Sequence, residues 1–118
     1  MNILLLGATG LVGSKVLELL LADSKVENIN ILSRRTCGVD HPKIKEFITP
    51  LDKMDQYPEA FNVQSALCCL GTTIKKAGSQ EKFELVDYHY PLKSAEIAKN
   101  NGVKSYAVIT ALGSHPNS

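Results

Sequence analysis

The sequence predicts an α/β fold built on one doubly wound parallel sheet, and three observations carry that prediction. Apolar runs at residues 2–6, 29–32, 65–70 and 103–109 lack the polar alternation of a half-exposed strand, so they read as strands covered on both faces. Stretches with helical apolar spacing lie between several of them. Gly7, Gly10 and Gly13 follow the first run directly at a spacing of three, where a strand must turn at once into a helix.

Taken in order, residues 2–6 form a central strand that ends at Gly7. From residue 11 to about 23, Val12, Val16, Leu19 and Leu20 recur at helical spacing, with Lys15 and Glu18 elsewhere on the wheel, which predicts an amphipathic helix. Residues 29–32 are a second strand and 36–42 a loop. A weaker third strand at 45–49 is stopped by Pro50, and 54–61 predicts a short helix interrupted by Pro58. The fourth strand, 65–70, ends at Gly71, and the polar stretch 72–79 reads as a loop. The longest helical pattern runs from 80 to 101, with Phe83, Val86, Tyr90, Ile97 and Ala98 facing inward. Pro91 kinks it or marks its true start, and Asn101-Gly102 stops it. Residues 103–109 are a fifth strand before a short polar tail. Right-handed crossovers then give the strand order 3-2-1-4-5, with the ligand crevice at the carboxyl ends of strands one and four.

Composition narrows the partners. The 118 residues suit one domain, and 44% hydrophobic with 21% charged is ordinary for a globular chain. Thirteen Lys+Arg against twelve Asp+Glu leave a net charge of +1, which gives no reason to expect nucleic acid or a membrane surface. No apolar run approaches the roughly 18 residues of a membrane span, and no secretory leader is visible, so a cytoplasmic chain is expected. Cys37, Cys68 and Cys69 show no metal-ligand spacing and read as buried thiols; His41, His89 and His115 are equally scattered, so no metal is expected.

The glycines carry the chemistry. A strand turning directly into a helix presents unpaired backbone N–H groups and the positive end of a helix dipole, an anion site that fits a pyrophosphate. Gly7 makes the turn, Gly10 lets the backbone approach phosphates, and Gly13 lets the helix pack close, so Gly7, Thr9, Gly10, Leu11, Val12 and Gly13 are the expected cofactor contacts. An empty structural turn is the alternative. About 20 residues beyond the last glycine, an acid would bind an NAD ribose. Ser33, Arg34 and Arg35 stand there instead, and guanidiniums grip a 2′-phosphate, which predicts NADP (NADPH) over NAD. The alternative is that the arginines solvate a strand end. Asp52 sits where a carboxylate can accept from an adenine amino group, or is a solvated turn residue. Cys69, Leu70, Gly71 and Thr72 are expected to pass beneath the cofactor, while Lys75 and Lys76 read as a solvated loop.

Together these motifs resemble the short-chain dehydrogenase/reductase superfamily in its extended and atypical NAD(P)-binding branch. The stretches Cys68-Cys69-Leu70-Gly71-Thr72-Thr73, Lys76-Ala77-Gly78, Val86-Asp87-Tyr88 and 92–99 are similar to Tat-interacting-protein-like oxidoreductases and their bacterial relatives. The resemblance implies a Rossmann fold, NADPH, and hydride transfer to or from a carbonyl. It also implies a Tyr general acid, a Lys four residues later, and a Ser or Thr after the fifth strand. The phenol needs the nearby positive charge because its ordinary pKa is about 10. Tyr57, Tyr88, Tyr90 and Tyr106 are followed at that spacing by Phe61, Leu92, Ser94 and Thr110, never by Lys. Thr110 is the best catalytic match, and Ser114 a weaker one. Residues 1–118 are therefore expected to be the cofactor-binding domain of a longer protein, inactive alone, with a small-molecule substrate left unnamed. Uncovered edges and helix faces would favour a homo-oligomer. The competing readings are a non-catalytic NADPH-responsive regulatory module and a nucleotide-sugar epimerase-like protein, the latter needing NAD.

Overall fold

The computed structural model describes residues 1–69 and 89–109. The elements are β1 (Asn2–Leu6), α1 (Leu11–Ala22), β2 (Asn28–Ser33) and β3 (Ile44–Ile48), then 3₁₀ turns at Leu51–Gln56 and Pro58–Phe61. β4 (Ser65–Cys68), α2 (Tyr90–Asn100) and β5 (Ser105–Val108) complete them. The five strands form one sheet in the order β3-β2-β1-β4-β5, and every pairing is parallel, as the sequence predicts.

Both faces of the sheet are covered at β1, which explains its unbroken apolar run. Leu4 and Leu6 join Leu32, Phe47, Met54 and Phe61 beneath α2 and the 3₁₀ turns, whereas Ile3 and Leu5 join Ile29, Ile31 and Leu17 beneath α1. Successive side chains point to opposite faces, so a strand buried on both sides has no polar position to spare. Full burial of one such side chain contributes about 1.5–3 kcal/mol.

Several elements differ from the sequence reading for identifiable reasons. In α1, Val12, Val16 and Leu20 pack on the core as expected, but Leu19 is 71% exposed and Leu17, at 3%, takes the inward position. Two residues span about 200° of a helix, so a face centred on Gly13 and Leu17 turns Leu19 to water. The helix expected at 54–61 is two 3₁₀ turns meeting at Tyr57, whose φ of −124° and ψ of 61° lie outside the helical region. The proline ring at position 58 disfavours the α conformation of the residue before it. Pro91 lies in the first turn of α2, where its missing N–H is tolerated. Residues 80–88, including Phe83 and Val86, lie outside the described residues. Tyr90 and Ile97 pack against the core and Ala98 is buried, as expected.

The ends of the elements are set locally. Thr49 N–H donates the last ladder bond to Ser33 O at 2.9 Å, and Pro50 follows. Gly102 adopts φ +78° past the end of α2, and Val103 N–H donates to Ala98 O at 3.0 Å, the stop expected from Asn101-Gly102.

We predict that Leu5→Ala, at a fully buried position of the central strand, destabilises the fold by about 2–5 kcal/mol. A urea-unfolding midpoint unchanged from the parent would refute the two-sided burial of β1.

Candidate functional site

The winding reverses between β1 and β4, and their carboxyl ends lie side by side. Leu6 is in register with both Leu32 of β2 and Cys68 of β4, and Cys69 N–H donates to Leu6 O at 2.8 Å. The register therefore brings the glycine turn, the Ser33 end of β2 and Cys69 to one edge of the sheet. Asp52 lies in the 3₁₀ turn beyond the same end of β3. Thr9, Leu11, Arg34, Arg35 and Asp52 are exposed, Val12 is half-buried, and Ser33 and Cys69 are buried. Leu70, Gly71, Thr72, Thr110 and Ser114 lie outside the described residues, as do Lys75 and Lys76.

The three glycines stand there for three different reasons. Gly7 has φ +84°, in the left-handed region that favours glycine, and its carbonyl accepts from Gly10 N–H at 3.1 Å to close the turn. At Gly13, a Cβ would lie 1.8 Å from Gly7 O and 2.6 Å from its carbonyl carbon, so helix and turn approach too closely for any side chain. Gly10 is different. Its φ of −81° and ψ of 174° suit any residue, and a Cβ there would meet Gly7 O at an ordinary 3.5 Å. Among the described residues, nothing requires that this position lack a side chain.

The electrostatics of the turn favour an anion. The first N–H groups of α1 have no partner four residues back, no side chain caps the helix, and no acid sits in its first turn. Beyond β2, the Ser33 hydroxyl donates to Arg35 O at 2.5 Å and holds the two-arginine segment in a tight bend.

Neither the Cys69 thiol nor the Tyr106 phenol is activated. Burial pushes the Cys69 thiol up to about 11, with neighbouring Cys68 adding to the shift, so it stays protonated at neutral pH. Burial likewise raises the Tyr106 phenol well above its ordinary value. Its oxygen lies 2.5 Å from Ser94 Oγ and donates to Pro91 O at 2.9 Å. That is the opposite of what a proton-donating tyrosine needs, and it identifies Tyr106 as a lock between β5 and the start of α2. A second support is Lys93, whose ammonium donates to Asp52 O at 2.6 Å and lies 3.4 Å from Asp55 Oδ1. Sequence reasoning missed both contacts, because partners 15 and 41 residues apart leave no local signal. Among the described residues, no group of three His, Cys, Asp or Glu side chains could hold a metal ion.

This arrangement, a glycine turn at the switch point of a five-stranded parallel sheet, is that of a Rossmann-like α/β fold. Comparison with known proteins narrows the class. The chain is 31% identical over 121 residues to Protein HTATIP2 of Rattus norvegicus, covering 99% of this chain and 50% of the relative. It is 33% identical over 125 residues to the mitochondrial protein FMP52 of Candida albicans, covering 100% of this chain and 54% of the relative. The fold matches that of UDP-glucose 4-epimerase from Thermotoga maritima with a TM-score of 0.74 at 15% identity, covering 92% of this chain and 37% of that one. A short-chain dehydrogenase/reductase superfamily protein from Agrobacterium tumefaciens with bound NAD matches with a TM-score of 0.73 at 17% identity, covering 92% and 32%. No family model matches. The chain is similar in sequence to these relatives, shares the fold of short-chain dehydrogenase/reductase structures, and spans about half the length of the curated relatives it matches.

The relatives also correct one expectation. Fungal relatives carry a mitochondrial designation in their names, which overturns the cytoplasmic reading. The buried free thiols of Cys68 and Cys69 fit a reducing environment but do not distinguish one reducing compartment from another.

Two predictions test this geometry. Gly13→Ala is expected to cost about 2–4 kcal/mol by forcing helix and turn apart, whereas Gly10→Ala changes stability by less than about 1 kcal/mol. Equal unfolding midpoints for the two variants would contradict the separate roles given to these glycines. In the native protein at pH 8, Cys69 should resist iodoacetamide; rapid labelling localised to Cys69 by mass spectrometry would show that its thiol is neither buried nor protonated.

Proposed function

We propose that this chain is the cofactor-binding part of an NADP-dependent oxidoreductase of the short-chain type, acting on a carbonyl or alcohol carbon of a small molecule. The observation that carries the reading is Gly10, a position where the described residues leave room for a side chain but where a phosphate lying against the backbone does not. The first-turn amides of α1 would bind the pyrophosphate. Gly7, Thr9, Leu11, Val12 and Gly13 surround that contact, and Cys69 borders it from β4.

The absence of an acid at the end of β2, with Arg34 and Arg35 exposed in its place, supports a 2′-phosphate over a free ribose hydroxyl. This also disfavours the epimerase-like alternative, which calls for NAD. Asp52 is assigned to the adenine amino group, and Lys93 steadies the turn that presents it. When bound, the nicotinamide supplies hydride exchange with the carbonyl carbon. Thr110, placed after β5 by the sequence alone, is assigned to orient that carbonyl. Tyr106 is committed to Ser94 and Pro91 and is not assigned as proton donor. We assign the donor to a longer polypeptide of which these residues are the cofactor part, in keeping with the half-length coverage of the relatives. The names of the fungal relatives support a mitochondrial setting.

Fluorescence titration tests the cofactor. NADPH should bind more tightly than NADH, and replacing Arg34 and Arg35 by Ala should weaken NADPH by roughly tenfold to a hundredfold while changing NADH by less than about threefold. Tighter binding of NADH to the parent protein would sink the NADP assignment.

A further inference from the structure

The segment that carries the two arginines is fastened at both ends, and the second fastening comes from another strand. Glu46 lies in β3, in register with Ile31 of β2. Its carboxylate reaches past the end of β2: Oε2 accepts from Cys37 N–H at 2.7 Å, and Oε1 accepts from the Thr36 hydroxyl at 2.8 Å. Thr36 Oγ1 in turn accepts from Gly38 N–H at 3.2 Å. On the other side, Ser33 holds Arg35 O, and Thr49 N–H holds Ser33 O. Arg34 and Arg35 thus occupy a short bend between a serine anchor and a carboxylate clip.

We propose that Glu46 is a positioning residue that sets the preference for NADP over NAD by holding the bend that presents Arg34 and Arg35. The inference rests on the reading of those arginines as the 2′-phosphate site. A bidentate grip on a phosphate needs the guanidinium in a defined place, and a long, flexible side chain on an unanchored loop loses much of its binding free energy to ordering. The clip supplies that order in advance. A carboxylate this near an anion site would repel the ligand if left bare, but both oxygens of Glu46 are engaged by donors of the loop. Burial pushes its carboxyl up, yet the Cys37 amide and the Thr36 hydroxyl outweigh that effect and hold it below the usual carboxylate value. Arg34 and Arg35 themselves make no contact with it that the inference needs.

NADPH and NADH affinities of the purified protein decide the matter, measured for the parent, Glu46→Ala, Glu46→Gln, Thr36→Ala and the Arg34→Ala/Arg35→Ala pair. Glu46→Ala should weaken NADPH about tenfold and NADH by less than about threefold, with Glu46→Gln intermediate because it keeps one acceptor. In the double-arginine background, Glu46→Ala should have no further effect on NADPH. Equal losses for both cofactors, or no loss for either, would overturn the role of Glu46 and leave the arginine assignment standing. A parent protein that prefers NADH removes the arginine assignment and this inference with it. If Glu46→Ala lowers the urea midpoint enough to obscure binding, Thr36→Ala reads the same cofactor ratio after the loss of a single exposed hydroxyl; an unchanged ratio there overturns the proposal.

Discussion

The close approach of α1 to the turn after β1 is the constraint on which the rest of the structure depends. A side chain at Gly13 would sit 1.8 Å from the carbonyl oxygen of Gly7, so the helix can lie where it does only because that position is bare. Holding α1 there seats Leu17, Val16 and Leu20 on the Ile3–Leu5–Ile29–Ile31 face of the sheet. It also points the first-turn amides over the carboxyl end of β1, beside β4. The packing of α1 and the placement of its first-turn amides are therefore two results of one short contact, and a change that loosened the helix would disturb both.

Around that contact, the functional edge is held by bonds that join distant parts of the chain. Lys93 of α2 ties down the 3₁₀ turn that bears Asp52, Tyr106 of β5 locks onto Ser94 and the Pro91 carbonyl, and Glu46 of β3 fastens the bend after β2. Each tie places an order-giving group outside the segment that would meet the cofactor. Fixing the exposed segment before binding reduces the ordering that binding must then accomplish. The buried Tyr106 phenol and Cys69 thiol belong to this supporting frame, since burial moves both away from the acidity that chemistry would use.

Much of the fold was legible because it is local or periodic. Apolar runs without alternation marked the strands, glycine spacing marked the turn, and Pro50, Pro58, Pro91 and Asn101-Gly102 marked boundaries. The misread face of α1 has a clear cause, which is that facing depends on what an element packs against. Helical spacing alone admitted Leu19 as a core residue, and only the close seat of Gly13 rotated the face toward Leu17. The cytoplasmic expectation came from the lack of a visible membrane span or secretory leader, and such an absence gives no address.

By itself, the sequence determined the parallel α/β architecture, the strand order, the glycine turn and the pairing of Arg34 with Arg35, because each follows from spacing along the chain and the handedness of crossovers. The tertiary structure alone decided which glycine is required by packing and which is not, that Tyr106 is a lock, and that Glu46 and Lys93 reach into neighbouring segments. Those facts depend on distances between residues far apart in the chain, and such distances exist only once the sheet has set its register.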